Sequence, residues 1–287
     1  MKPTHAFVRF IRNRAALVGL ILTSFLALLS TLGPLVAHDP NVSDFALGRT
    51  AIGLPAPPSA AHFLGTDSLF RDLAARLVFG ARVSLLIALL STLVATTIGT
   101  AVGLVAGYFA NTRAWLLDAA LMRLVDAGLS FPYLLLVMAL GAALDRTDTA
   151  SIVIVLGLTG WLGTSRVVRA KTLQVRELDF VLAARALGQS PVRILLGHIL
   201  PNVAGPVIVT ASASVASMIL AESVLGYLSV GVQPPTPTWG RMLREGQMFL
   251  TADPRLVAAP GLAILTAVLA FNLFGEGLRD ALDPRTT

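Results

Sequence analysis

Long stretches without charged residues constrain this chain more than any other feature. In its 287 residues, six windows of 17 to 28 residues contain no Asp, Glu, Lys or Arg and are apolar enough to be candidate spans. The windows are 15–37, 83–110, 127–144, 149–165, 194–221 and 256–275. A helix needs about 20 apolar residues to cross the hydrocarbon core of a bilayer. We therefore predict an all-α membrane protein with six transmembrane helices, in which the two shortest spans gain a turn from flanking residues such as 121–126.

The composition supports a membrane protein and argues against several other classes. Charged residues make up 13% of the chain, about half the fraction in a typical soluble domain, and the mean hydropathy is +0.77. A soluble enzyme, a disordered chain and a coiled coil do not fit these values. The net charge of +6 could indicate nucleic acid, but membrane topology explains it, so we expect no nucleic-acid partner. Because the chain has no cysteine, disulfides and thiolate sites are excluded. We also predict no metal site.

The distribution of Lys and Arg predicts the orientation in the membrane. If the N-terminus is cytoplasmic and the chain crosses six times, the inner segments hold 14 of these bases and the outer segments 8. Cytoplasmic loops are the ones enriched in bases, so we expect both termini in the cytoplasm. The predicted segments are a cytoplasmic N-terminus (1–14), an uncleaved first span (15–37), an outer loop (38–82) and a core domain with five further spans (83–287).

The end of the outer loop carries a helical pattern. Asp67 is placed to cap a helix, leucines recur every four positions after it, and Gly80 can end it. Asp72 and Arg76 have the spacing of an i,i+4 ion pair. We predict an amphipathic helix over 67–80 that lies at the outer interface or packs on the bundle.

The second outer segment, about 223–255, is also patterned. Its three prolines, at 234, 235 and 237, argue against a seventh span. A helical pattern resumes at 239–250. Tryptophan is enriched at the membrane–water interface, so we expect Trp239 to lie there.

Two spans carry runs of small residues. Gly99, Gly103 and Gly107 recur every four positions and form a smooth face that another helix can approach closely. The fifth span contains the weakly polar stretch 210–217. Its serines are Ser212, Ser214 and Ser217. This stretch could line a substrate pathway or simply pack against another helix, and the residues alone leave both interpretations open.

Two acids near the ends of spans are further candidates, because ionisable groups in membranes are costly and often functional. Glu222 ends the fifth span on the outer side, where it could contact substrate, gate the outer mouth or pair with Arg241 or Arg244. Asp126 lies near the inner mouth of the third span. We expect it to form a structural pair with Arg123, one turn earlier.

The longest and most basic inner loop, 166–200, lies between the fourth and fifth spans. Its pattern predicts a short helix over 180–187, and Gly188 is suited to end that helix. The small Ala183 and Ala184 would let the helix enter a groove on a partner. Alternatively, the loop could lie against anionic lipid.

The sequence of this loop resembles the EAA loop of permease subunits of bacterial binding-protein-dependent ABC importers. The matching residues run from Leu182 to Gly188 (L-A-A-R-A-L-G) and continue from His198 to Asn202 (H-I-L-P-N). Four further blocks are similar to the C-type subunit of oligopeptide, dipeptide and nickel transporters. These blocks are 62–85, 122–136, 221–243 and 271–285. The resemblance covers nearly the whole chain, with its blocks in order.

The resemblance implies the type I permease fold of ABC importers and a multi-pass location in the bacterial inner membrane. The implied partners are a second homologous permease, two cytoplasmic ATP-binding subunits that dock on this loop, an extracytoplasmic substrate-binding protein and membrane lipid. The chain itself would catalyse nothing and bind no cofactor, because ATP would bind the ATPase subunits. The implied coupling residues are Phe180, Leu182, Ala183, Ala184, Arg185, Leu187 and Gly188.

One position departs from the family pattern. Leu182 stands where the family has an acidic residue, so a carboxylate that could pair with the ATPase is absent. Glu177 and Asp179 lie close by and could replace it. We expect docking to depend more on packing. The packing residues are Ala183, Ala184 and Leu187.

The resemblance also bears on the substrate. A di- or oligopeptide importer is expected from the breadth of the branch, with a nickel-chelate importer as the alternative. A secondary transporter is less well supported, because ion coupling usually needs acids in mid-membrane and the acids here lie at span ends. The chain contains no H-E-x-x-H, G-x-S-x-G or G-x-x-x-x-G-K-[ST] sequence, so we expect no enzyme.

Overall fold

The computed structural model describes residues 9–143 and 148–282. Within them the chain is helical, apart from turns and three isolated β-bridges in the outer loop. The helices are α1 (Arg14–Val36), α2 (Leu73–Phe109), α3 (Trp115–Leu129), α4 (Tyr133–Ala142), α5 (Thr149–Val175), α6 (Asp179–Ala186), α7 (Pro191–Ile194), α8 (Leu200–Tyr227), α9 (Trp239–Gln247) and α10 (Arg255–Leu282), with a π-helical turn at Leu195–Ile199. The bases Lys2, Arg146 and Arg285 of the charge count lie outside the described residues, as do parts of the predicted segments 1–14, 127–144 and 83–287.

Five helical segments are long and apolar enough to cross a membrane: α1, α2, α5, the continuous segment Pro191–Tyr227 and α10. They correspond to five of the six predicted spans. The predicted third span is wrong as a single helix, because α3 and α4 meet at an angle of 87°. Pro132 stands at this break, where its ring cannot donate a helical hydrogen bond and disfavours helix in the residue before it. Counted as one broken span, this pair is the sixth.

The pair of α2 and α5 is the most extensive helix contact among the described residues, and the predicted glycine face lies in it. A methyl carbon added to Gly103 would lie 2.6 Å from Val168 Cβ. The equivalent pairs along the two helices are Gly99–Thr164 and Gly107–Thr172, at 2.7 and 2.6 Å. The predicted close approach is confirmed, since only a hydrogen atom fits at each of these positions.

The predicted amphipathic helix over 67–80 is wrong as a separate element. Asp67 caps no helix; its carboxylate accepts two backbone N–H groups of the turn that follows, at 2.8 and 3.0 Å. Helix α2 begins after Asp72, whose carboxylate caps it by accepting a first-turn N–H at 2.7 Å. The helix then runs through Gly80 without interruption. The second span therefore extends outward, and the predicted boundary at 82 falls inside it.

Candidate functional site

Four charged side chains join the outer loop to the helix bundle. Arg76 Nη1 lies 3.0 Å from Asp67 Oδ2, outside hydrogen-bond geometry, and its Nη2 lies 3.0 Å from Glu245 Oε2. Arg71 bridges the same two carboxylates at 2.7 and 2.9 Å. The predicted Asp72–Arg76 pair is wrong, because Arg76 turns toward the loop and α9 while Asp72 caps α2. We call Asp67, Arg71, Arg76 and Glu245 the outer ion cluster.

Trp239 lies in the core rather than at an interface, so its predicted location is wrong. The residue is 1% exposed, and its Nε1 donates a hydrogen bond to the Leu77 carbonyl at 3.1 Å. Its ring packs beside Gly80, where α2 has no side chain. The predicted helix after the prolines is confirmed as α9. Since Trp239 is the first residue of α9, it fixes that helix against α2.

His62 links two carboxylates of the outer loop. Its Nδ1 lies 2.9 Å from Asp72 Oδ2 and its Nε2 lies 3.2 Å from Asp44 Oδ2. Both contacts are hydrogen bonds only when both ring nitrogens carry protons. Burial of the ring lowers the pKa of His62, but the hydrogen bonds and charges of Asp72 and Asp44 outweigh it, and the pKa is raised above the ordinary 6.5. Because Asp72 also caps α2, the protonated ring fastens the loop to that helix.

Rising pH is expected to weaken this fastening. Because the pKa of His62 is raised in the folded state, protonated His62 stabilises the fold. This stabilisation is complete below the unfolded-state pKa of 6.5 and is lost as the pH rises through the folded-state pKa. We expect the Tm of the wild type to fall from about pH 6.5 upward more steeply than that of His62→Gln. His38 lines the same cavity as His62, so His38→Gln serves as the control. Its Tm should depend on pH as that of the wild type does. Parallel pH profiles of the wild type and His62→Gln would contradict the assignment.

The inner loop forms the predicted short helix, α6. Gly188 follows it with a φ of 76°, a left-handed conformation that glycine adopts without strain. The Gly188 N–H donates to the Arg185 carbonyl at 3.0 Å, and the Gln189 N–H donates to the Ala184 carbonyl at 3.2 Å. These two bonds close the helix as predicted for a C-terminal glycine.

The two faces of α6 have different environments. Val181 and Ala184 are buried against the inner ends of α2, α5 and α8. The exposed apolar or small side chains are Phe180, Leu182, Ala183, Ala186 and Leu187. Leu187 is 81% exposed. The predicted role of Ala184 as a contact with a partner is wrong, because its side chain already packs inside this chain.

Arg185 and Arg176 hold the ends of this loop to the bundle. The Arg185 guanidinium lies 5.5 Å from the centre of the Tyr108 ring. Arg176 Nη1 donates to the Gly107 and Tyr108 carbonyls at 3.0 and 3.2 Å, and also to the Ala110 carbonyl. These carbonyls end α2, where a cation is favoured. Arg176 was expected only as one of the bases of the inner loop, because its partners lie 66 to 69 residues away and no local spacing indicates them.

Two ion pairs join α3 to α5 near the inner end. Asp126 pairs with Arg166 at 2.5 Å, so the predicted Asp126–Arg123 pair is wrong. Asp118 accepts two hydrogen bonds from Arg169, at 2.6 and 2.7 Å. Both partners lie on α5 because α3 runs beside that helix, and a contact between helices replaces the one expected within α3.

The three predicted pathway serines separate onto two sides of α8. Ser214 and Ser217 line a cavity of about 440 Å³ beside α4 and α5. Ser212 lines a second cavity of about 370 Å³ between α2, α8 and α10. Residues two apart on a helix differ by about 200° in direction, which explains the separation. Ser212 therefore does not share a surface with the other two serines.

Glu222 is 1% exposed and lies inside the bundle. Its predicted pairing is wrong: Arg241 contacts Glu245 at 2.9 Å, and Arg244 reaches the Tyr227 carbonyl at 3.4 Å. The hydroxyls of three neighbours face the carboxyl group, yet neither oxygen has a hydrogen bond of good geometry among the described residues. These neighbours are Ser84, Ser223 and Thr238. Glu222 lines neither of the two cavities beside α8.

Comparison with known proteins identifies the family. Residues 99–287 match the family described as the binding-protein-dependent transport system inner membrane component. The chain belongs to this family. Residues 4–58 match the N-terminal TM domain of oligopeptide transport permease C, so the first span and the core both carry family signatures.

Relatives of this permease cover nearly its whole length. The dipeptide transport system permease protein DppC of Alkalihalophilus pseudofirmus is 38% identical over 284 residues, which are 98% of this chain and 89% of the relative. The oligopeptide transport system permease protein OppC of Salmonella typhimurium is 39% identical over 280 residues, 96% of this chain and 89% of the relative. DppC of Haemophilus influenzae is 37% identical over 281 residues, which are 96% of this chain and 92% of the relative.

Family membership confirms the main expectations from the sequence. The permease is a multi-span component of an inner-membrane transport system, and its family consists of transport components rather than enzymes. Its helical architecture, with five long apolar helices and one bent helix pair, agrees with the permease fold expected from the resemblance.

Proposed function

We propose that this permease is the C-type subunit of an ATP-driven importer of di- or oligopeptides. The similarity to relatives named for dipeptide and oligopeptide transport, over nearly the whole chain, carries the proposal. The bundle forms half of the translocation pathway, and a second homologous permease forms the other half. The excess of bases in the inner segments supports cytoplasmic termini. In that orientation the outer ion cluster faces the extracytoplasmic binding protein.

Coupling to ATP is assigned to α6. Its exposed face presents apolar and small side chains to two cytoplasmic ATPases, which hold the ATP, while this chain binds no cofactor. Its buried face packs on α2, α5 and α8 through Val181 and Ala184. Arg176 adds hydrogen bonds to the inner end of α2. Movement of α6 therefore reaches the spans through packed side chains, and the contact needs no carboxylate at Leu182.

Uptake by the purified importer tests the proposal. The two permeases and two ATPases are placed in liposomes with the binding protein outside, and accumulation of a labelled dipeptide and tripeptide is measured. We expect uptake that requires both ATP and the binding protein. Uptake of a nickel chelate but of no peptide would support the alternative importer instead. Uptake by the permease pair alone, without ATP, would contradict an ABC mechanism.

The same substitution on the two faces of α6 is expected to have two different effects. Ala183→Asp places a charge on the exposed face, so we expect a wild-type Tm but loss of ATPase association and of uptake. Ala184→Asp buries a charge against the bundle, so we expect a lower Tm and poor yield. Association is measured by co-purification of the ATPases, and stability by thermal unfolding in detergent.

The comparison of the two variants separates docking from folding. Full ATPase binding and uptake by Ala183→Asp would contradict the assignment of the exposed face to docking. A wild-type Tm for Ala184→Asp would contradict its burial.

A further inference from the structure

The predicted third span is interrupted beside α5. Helix α3 ends at Leu129, and α4 begins at Tyr133 at an angle of 87°. Gly128, at the end of α3, packs against Leu162, which is the central residue of α5. The break therefore lies beside the middle of α5, about one turn from the ion pair that Arg166 forms with α3.

Backbone groups at this break need polar partners. The ends of helices release N–H and C=O groups that have no partner within the helix. The Ser130 N–H donates to the Asp126 and Ala127 carbonyls, at 3.0 and 3.2 Å, and the Ser130 hydroxyl donates to the Asp126 carbonyl at 2.7 Å. At the other side, α4 begins after Pro132 without a side-chain cap. Non-helical backbone at membrane depth is tolerated where protein buries it or where it lines a water-filled cavity.

A cavity of about 440 Å³ lies at this position, which we call the break cavity. Its walls come from both sides of the break, from α5 and from α8. Its hydroxyl-bearing residues are Tyr133, Thr159, Thr164, Thr210, Ser214 and Ser217. Among the described residues that line it, none has a charged side chain. The volume lies in the range of about 300–1,000 Å³ usual for small-molecule sites.

We propose that the break cavity is a substrate chamber that holds a peptide by its main chain. This inference rests on the proposed function. Each peptide bond offers one N–H and one C=O, and a hydroxyl can accept from the N–H and donate to the C=O. The Thr159 and Ser214 hydroxyls already donate to carbonyls of their own helices, so they are left to accept from a peptide N–H. These contacts are independent of the peptide's side chains. Because the walls carry no charge, acidic and basic peptides meet the same surface, and weak neutral contacts let the substrate leave.

The side of α8 that faces away provides a matched control. Ser212 lies on the same helix as Ser214 and Ser217 but lines the other cavity. The chain has no cysteine of its own. A single Ser→Cys substitution therefore gives this chain one reactive thiol at a chosen position.

Thiol labelling in the whole importer tests the chamber. Ser214→Cys, Ser217→Cys and Ser212→Cys permeases are assembled with the second permease, both ATPases and the binding protein, and exposed to a water-soluble methanethiosulfonate reagent. The mass of this chain reports the adduct, and labelling after denaturation shows that the thiol is present. We expect Ser214→Cys and Ser217→Cys to react, and to react several-fold more slowly when peptide-loaded binding protein and ATP are supplied. The rate at Ser212→Cys should not change with peptide. Trialanine, trilysine and triglutamate should protect alike.

Each outcome decides one of the two proposals. If the wild-type importer takes up peptide but neither cavity variant reacts, or both react at the same rate with peptide present, the chamber is overturned while the function stands. Protection by peptides of only one charge type would contradict recognition of the main chain. If the wild-type importer takes up no peptide, the proposed function itself fails.

Discussion

Arg76→Met is expected to lower the stability of the permease by about 3–5 kcal/mol, the usual cost of removing one partner from a buried ion pair. Arg76 is 1% exposed and lies between Asp67 and Glu245. Methionine fills much of the same volume but leaves two carboxylates with Arg71 as their remaining shared cation. Because the cluster joins the outer loop to α9, we expect the loop to detach first. Thermal unfolding of the purified permease in detergent measures the loss.

Arg166→Met is the control for this substitution. Arg166 forms its ion pair with Asp126 at the surface, where both side chains are about half exposed. Exposed pairs contribute about 0–1 kcal/mol, so the Tm should change little. Proteolysis within the outer loop should accelerate in Arg76→Met and not in Arg166→Met. Equal changes in Tm for the two variants would show that burial of the outer ion cluster is unimportant.

Gly103→Ala is expected to destabilise the permease by about 1–3 kcal/mol, the usual cost of overpacking. The added carbon would lie 2.6 Å from Val168 Cβ and 2.7 Å from the Ser165 carbonyl oxygen. Backbone on α5 cannot move away as the end of a flexible side chain can, so α2 and α5 must separate. We expect a lower Tm and a lower yield of folded protein.

Gly163→Ala, the same change within α5, should have the opposite sign. Nothing lies within 4 Å of a carbon added there, and alanine is favoured over glycine inside a helix by about 0.5–1 kcal/mol. We expect a Tm equal to or above that of the wild type. A Gly103→Ala variant as stable as Gly163→Ala would refute the close packing of α2 on α5.

The spans were predictable because a membrane helix needs a long apolar run, and such runs stand out in a chain with few charges. The bends within the spans could not be predicted in this way. The third window contains Pro132, but a count of uncharged residues cannot distinguish a straight span from one bent by 87°. The prediction of a separate helix in the outer loop was wrong for a related reason. The pattern at Asp67 fits a helix cap and also a turn, and a contact that accompanies the turn, that of Arg76 with Glu245 on α9, lies far along the chain.

At the coupling loop, the sequence specified the helix and its glycine end but not its orientation. Apolar or small residues occur on both faces of α6, so composition could not show that Ala184 is buried and Ala183 exposed. Arg176 was missed because carbonyls far along the chain hold it. The serines of α8 were read as one set, although helical geometry alone would have placed Ser212 apart from Ser214.

The π-helical turn at Leu195–Ile199 sets the angular phase between the coupling loop and the fifth span. A π turn contains one residue more than an α-helical turn, and each residue rotates a helix by about 100°. Each side chain on α8 therefore points about 100° away from the direction that it would have, relative to α7, in an unbroken α-helix. A one-residue deletion within the turn would leave a continuous helix of the same composition. It would nevertheless redirect Ser214 and Ser217 relative to the loop.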